Sequence, residues 1–206
     1  LAYLPLHTLL ECVQAVRSCF AESMDEALEA IGVAPTNPPT FSAGVAIVHH
    51  TAPLGDALAI ARSAERMAKS EGGRNALAII QNKRGGAPRS IYGKWNEIGT
   101  ELSDLQSLFA RKALPGTLAY QLIEIGKLCG FEIETAADGS LLNAAAACAK
   151  RRLCAKDLDK EAEVIVNRLL ASQRNLRELA GRVIIARQLA QSQSLASGSG
   201  PIKEEA

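Results

Sequence analysis

Apolar and polar positions alternate in two different rhythms along this chain, and the rhythm changes near residue 95. Leu1 to Leu6 (LAYLPL) reads as a short buried strand stopped by Pro5. Thr8 and Glu11 have capping-box spacing, and Leu9, Val13, Val16, Phe20, Met24, Ala27 and Ile31 then recur in steps of three and four. This predicts a long amphipathic helix ended by Gly32. A loop rich in proline (35–39) separates it from FSAGVAIVHH at 41–50, a run suited to a covered strand. Thr51 and Pro53 introduce a second helix. Its inner face is read as Leu54, Leu58, Ala61, Ala64 and Ala68, and its polar face as Arg62, Glu65, Arg66 and Lys69. Gly72 and Gly73 stop it. Asn75 to Gln81 is read as a third strand with Asn75 at its start, and Arg89 to Tyr92 returns as a hairpin after Lys83-Arg84-Gly85-Gly86.

From Trp95 onward the period is helical. Segments near 97–112, 115–129 and 140–155 read as helices punctuated by Pro115, Gly126, Gly130 and Gly139. Asp157 to Gln191 carries the longest pattern: Leu158, Ala162, Ile165, Leu169, Ser172, Leu176, Leu179, Val183, Ala186 and Ala190 form a heptad-like seam, with a break expected near 173–175. The low-complexity stretch 192–206 reads as a disordered tail. The division is therefore a β/α part over 1–95, a helical part over 96–191 and the tail.

Composition narrows this picture. Apolar residues make up 48% of the 206 and aromatics 4%, which favours Ala/Leu-packed helices over a β-sandwich or barrel. No uncharged apolar run reaches the roughly 18 residues that a membrane span needs. The net charge of +1 excludes a globally basic nucleic-acid binder, although Lys150, Arg151, Arg152, Lys156, Arg168, Arg174, Arg177, Arg182 and Arg187 make the helical part locally basic. The five cysteines (12, 19, 129, 148 and 154) show no C-x-x-C pair, and are read as reduced thiols of a cytoplasmic protein. His49 and His50 would face opposite sides of a strand and so share no metal; His7 is read as structural, and no metal site is expected.

The segments FSAGVAIVHH (41–50) and PLGDALAIARSAERMAKSEGGRNALAII (53–80) resemble the end of a nucleotidyl-cyclase-type palm. They are most similar to the polymerase-like large subunit of type III CRISPR effector complexes, in its Cmr (III-B) branch. The hairpin KRGG, YGKW (92–95) and LPGTLAYQL (114–122) accompany that resemblance, and LAYLPLHTLLECVQAVR (1–17) resembles the segment following the family's Gly-Gly-Asp-Asp turn. The implied fold is α+β: the C-terminal half of a ferredoxin-like palm followed by an α-helical bundle domain. The implied activity of the intact family is synthesis of cyclic oligoadenylate from ATP upon target RNA binding, with Mg or Mn as the divalent metal. No Gly-Gly-Asp-Asp occurs in these 206 residues, so this chain is expected to be inactive alone. The strand at 1–6 would also lack both neighbours of a complete palm, leaving the first 95 residues poorly stable in isolation.

The resemblance implies nucleotide contacts at Ser42, Ala43 and Gly44, and triphosphate contacts at Lys69 and Arg74. The spacing Lys-Ser-Glu-Gly-Gly-Arg is one residue longer than the usual cyclase spacing. Lys83, Arg84 and Arg89 are candidates for contact with RNA or a neighbouring subunit. Implied partners are other Cmr subunits, including small helical ones, with crRNA and target RNA reached through the complex, and no membrane. Two other readings fit the same pattern: a diverged cyclase-type palm fragment with a helical appendage, and a non-catalytic helical adaptor. Trp95 and Tyr92 are read as an anchor between the two parts.

Overall fold

The computed structural model describes residues 1–34, 36–83, 85, 87–129, 160–172 and 175–198. Residues divide into two compact units, Leu1–Thr100 and Glu101–Ala206, and the boundary falls inside a helix. The first unit opens without a strand. Leu1 and Tyr3 are exposed, and Leu6–Thr8 form one 3-10 turn. The strand expected at 1–6 is therefore not formed. Its apolar composition suits a strand, but strand structure needs a neighbouring backbone, and among the described residues none pairs with it.

Helix α1 (Leu9–Ala30) follows the expected boundaries. Thr8 does not cap it: its Oγ1 donates to the Pro5 carbonyl at 3.0 Å instead. The apolar stripe is only partly covered. Leu9 is buried and Phe20 meets Phe41, while Val16 and Ile31 are exposed.

Strand β1 (Ala43–Val48), helix α2 (Leu54–Ser70) and strand β2 (Ala76–Asn82) make a parallel β–α–β crossover. Strand β3 (Arg89–Lys94) returns antiparallel to β2, as the hairpin reading of the sequence expects, and the sheet order is β1-β2-β3. The register pairs Gly44 with Ala78, Ile79 with Ile91, and Ala76 with Lys94. The two faces of the sheet follow its period of two. Ala76 and Ala78 pack with Ala64 and Ala68 of α2, joined by Met67, Ile80 and Tyr92. Leu77, Ile79 and Ile91 are buried on the other face.

Alanine on both sides lets helix and sheet come close, which is why α2 buries Ala57, Ala64 and Ala68 while Leu54, expected on the inner face, is exposed. Pro53 stands at the N-cap rather than inside the first turn. Asn75, expected to begin β2, lies in the preceding turn at φ 46°.

Helix α3 (Trp95–Ala110) begins in the first unit and continues into the second, where it buries Leu102, Leu105, Leu108 and Phe109. Helix α4 (Leu118–Cys129) buries Leu118, Ala119, Leu122 and Ile125. Helix α5 (Lys160–Ser172) and helix α6 (Leu176–Ala196) are separated at the expected break, where the Asn175 side chain accepts the Arg177 N–H at 2.8 Å and caps α6. The seam residues Leu176, Leu179, Val183, Ala186 and Ala190 are buried, but so are Ala180, Gly181, Arg182, Ile185 and Leu189. Helix α6 is thus enclosed over a wider arc than a two-helix seam requires, and α4 packs on it. It runs to Ala196, so 192–196, read as tail, is helical. The helix expected near 140–155, with Cys148, Cys154 and the basic cluster at 150–156, lies outside the described residues.

Candidate functional site

The candidate nucleotide residues gather where β1 begins and where α2 ends. Ser42 and Ala43 lie at the entry of β1 and are half-buried. Gly44 is in direct contact with α2. A Cβ built on it would lie 2.0 Å from the Glu65 backbone nitrogen and 2.6 Å from the Ala61 carbonyl oxygen, so the close approach that this glycine permits is to a helix. The same turn of α2 carries the Glu65 side chain. Its Oε1 accepts from Lys69 Nζ at 2.6 Å, an i,i+4 pair on the exposed face of the helix. That hydrogen bond and the Lys69 charge hold the Glu65 carboxyl below its ordinary value, with Arg66 and Arg62 adding to the effect. Lys69 is therefore already engaged by a carboxylate, and reaching a phosphate requires it to exchange partners.

Arg74 occupies an unusual turn. Gly73, Arg74 and Asn75 all adopt left-handed backbone, at φ 67°, 60° and 46°. The Arg74 N–H donates to the Ala68 carbonyl at 3.2 Å, across the end of α2. Lys94 Nζ donates to the Gly73 carbonyl at 2.6 Å and to the Arg74 carbonyl at 2.8 Å. Alternation along β3 explains the reach: Lys94 shares the face of Tyr92, which packs toward α2, and it pairs with Ala76 beside the turn.

Trp95 does for the entry of β1 what Lys94 does for the end of α2. Its Nε1 donates to the Phe41 carbonyl at 2.6 Å, and its ring stacks on Phe41 at 5.9 Å. Arg17 of α1 lies over the indole at 5.5 Å and also donates to Asn96 Oδ1 at 3.2 Å. The YGKW segment thus ties down both backbone stretches that carry candidate residues. Sequence reading assigned no chemistry to Lys94. The signal available was its place in a β3 pattern that puts it beside the turn, and that depends on pairing register.

The basic hairpin is only partly described. Lys83 is exposed, Arg89 is half-buried and pairs through β3 with Gln81, and Arg84 lies outside the described residues. Of the basic residues of the helical part, three are engaged by partners within it. Arg182 is buried in an ion pair with Glu101, Arg168 pairs with Asp104, and Arg187 Nη1 donates to the Gly116 carbonyl at 3.0 Å. These three are therefore engaged inside the second unit.

His49 and His50 also depart from the expectation. β1 ends at Val48, so strand alternation no longer separates them, and their rings lie 4.2 Å apart. His49 Nδ1 lies 2.9 Å from Thr51 Oγ1 and 3.3 Å from the Thr51 backbone N–H, which donates to it. Among the described residues no group of three or more His, Cys, Asp or Glu side chains could hold a metal ion. The described donor set does not fit a catalytic metal pair, so no step through metal is derived for this chain. No helix among the described residues is long and apolar enough to cross a membrane.

Residues 1–78 match the family described as Cas10/Cmr2, second palm domain. No curated protein and no solved structure matches the chain.

Proposed function

We propose, from the match of residues 1–78 to the Cas10/Cmr2 second palm domain, that the front of the chain is the rear part of such a palm and forms one wall of an ATP site. The wall consists of the β1 entry with Ser42 and Ala43, the Lys69 side chain on α2, and Arg74 on the turn that follows. Gly44 serves this wall by letting α2 seat directly on β1. The observation that supports this reading best is the left-handed turn at 73–75, which brings an arginine immediately beyond a helix whose last turn carries Lys69. A fork and a point charge together suit a triphosphate.

In the intact large subunit, within a multi-subunit type III CRISPR complex in the cytoplasm, this wall serves synthesis of cyclic oligoadenylate once target RNA is bound. The complex is of the Cmr (III-B) branch. The divalent metal, Mg or Mn, and the groups that hold it come from outside this chain. The helical unit docks neighbouring subunits, small helical ones among them, and Lys83, Arg84 and Arg89 touch RNA backbone or a neighbouring subunit. The test is steady-state kinetics of the complete complex carrying Lys69→Ala or Arg74→Ala. Each change is expected to raise the ATP KM by about tenfold, the equivalent of one charge-assisted contact. Unchanged KM and oligoadenylate yield in both would show that the triphosphate lies elsewhere.

A further inference from the structure

Three consecutive left-handed residues need something to hold them, because only glycine adopts that backbone freely. Here Gly73 is followed by Arg74 and Asn75, both with a Cβ. The end of α2 contributes one bond, from the Arg74 N–H to the Ala68 carbonyl. The stronger grip comes from the end of β3. The Lys94 ammonium donates to two successive carbonyls of the turn, at 2.6 and 2.8 Å, from a residue twenty positions beyond Arg74. A cation at the C-terminal end of a helix is also favoured by the helix dipole. The fit is close, since a Cβ on Gly73 would stand 3.2 Å from Lys94 Nζ.

We infer that Lys94 is a positioning residue for nucleotide binding: by gripping the Gly73 and Arg74 carbonyls it fixes the backbone from which the Arg74 guanidinium reaches a phosphate. The inference rests on the proposed role of Arg74 in the ATP site. Lys94 acts here through the turn, to which two of its three ammonium donors go. Removing its charge frees the 73–75 backbone to relax toward ordinary φ values, and the guanidinium then samples many positions in place of one. The loss falls on binding and leaves the chemical step alone, so KM changes and kcat does not.

The experiment compares Lys94→Met, Arg74→Ala and the double variant in the complete complex, each alongside the unaltered enzyme. Two quantities are read: the ATP KM and kcat, and the rate of tryptic cleavage at the Arg74–Asn75 bond in the variants that keep Arg74. Lys94→Met is expected to raise KM by about fivefold at constant kcat, to speed cleavage at Arg74, and to add no further rise in KM on the Arg74→Ala background. A raised KM in Arg74→Ala with an unchanged KM in Lys94→Met overturns the latch alone. So does a Lys94→Met penalty that persists in full in the double variant, because Lys94 then acts independently of Arg74. An unchanged KM in Arg74→Ala overturns the phosphate assignment, and the positioning role falls with it.

Discussion

Two residues on α2 and β1 show how much a single position carries here. Gly44 faces the backbone of Glu65, and no rotamer change can relieve a Cβ 2.0 Å from a main-chain nitrogen. Gly44→Ala is expected to destabilise the first unit by about 2–3 kcal/mol through forced separation of β1 and α2, readable in urea denaturation. A melt within error of the unaltered chain would mean that the two elements shift apart at little cost. Glu65 makes a different kind of statement. Its carboxyl is lowered from an ordinary 4.5 by the Lys69 hydrogen bond and charge. A lowered native value means that the pair's small stabilising contribution is complete above the unfolded value and disappears as pH falls through the native one. An NMR titration should find the Glu65 midpoint below those of other exposed glutamates, and Lys69→Met should return it toward 4.5. A midpoint indifferent to Lys69→Met would rule out the pair in solution. Lys69 was legible as a solvent-facing cation from helical spacing alone. Its pairing with Glu65 followed from the same i,i+4 rule, whereas the contact of Gly44 with α2 depends on how the crossover folds back.

Elements were legible in proportion to how locally their hydrogen bonds are satisfied. Helices α1 and α2 and the break between α5 and α6 follow from periods and punctuation within a dozen residues. The strand expected at 1–6 failed for the opposite reason: a strand exists only with a partner, and its sequence does not contain one. Helix α6 was legible as a helix but not as a central one. Its arginine at 182 looks like a charge for solvent, yet it is buried against Glu101 of α3. Arg182→Ala takes the guanidinium away from a buried carboxylate, with an expected loss of about 3 kcal/mol. Replacing both residues together by leucine removes the charge along with its partner and should cost far less. Urea denaturation of the two variants checks this. Equal losses in the single and double variants would mean that the ion pair itself, and not the uncompensated charge, is what matters.

At the scale of the whole molecule, protection is unevenly distributed. Ala76, Leu77, Ala78 and Ile79 of β2 are buried between two strands, whereas Leu1 to Leu4 are exposed and belong to no regular element. Native-state hydrogen exchange should find the β2 amides among the slowest of the first unit and those of residues 2–4 at unprotected rates. Slow exchange at 2–4 would restore the strand that the sequence alone suggests. The last strand ends at Lys94 and α3 begins at Trp95, where the rhythm of the sequence changes. Even so, the boundary between compact units lies at Thr100/Glu101, within α3 rather than before it. What the residue order settles unaided is where α1 and α2 lie and where α5 and α6 break, since these depend on neighbours along the chain. What waits for the tertiary structure is pairing and reach: the register that sets Lys94 beside Ala76, the two carbonyls that Lys94 grips, the indole of Trp95 on Phe41, and the burial of Arg182. Each joins residues far apart along the chain, from the eighteen positions between Ala76 and Lys94 to the eighty-one between Glu101 and Arg182, and no periodicity in the chain encodes a contact across that distance.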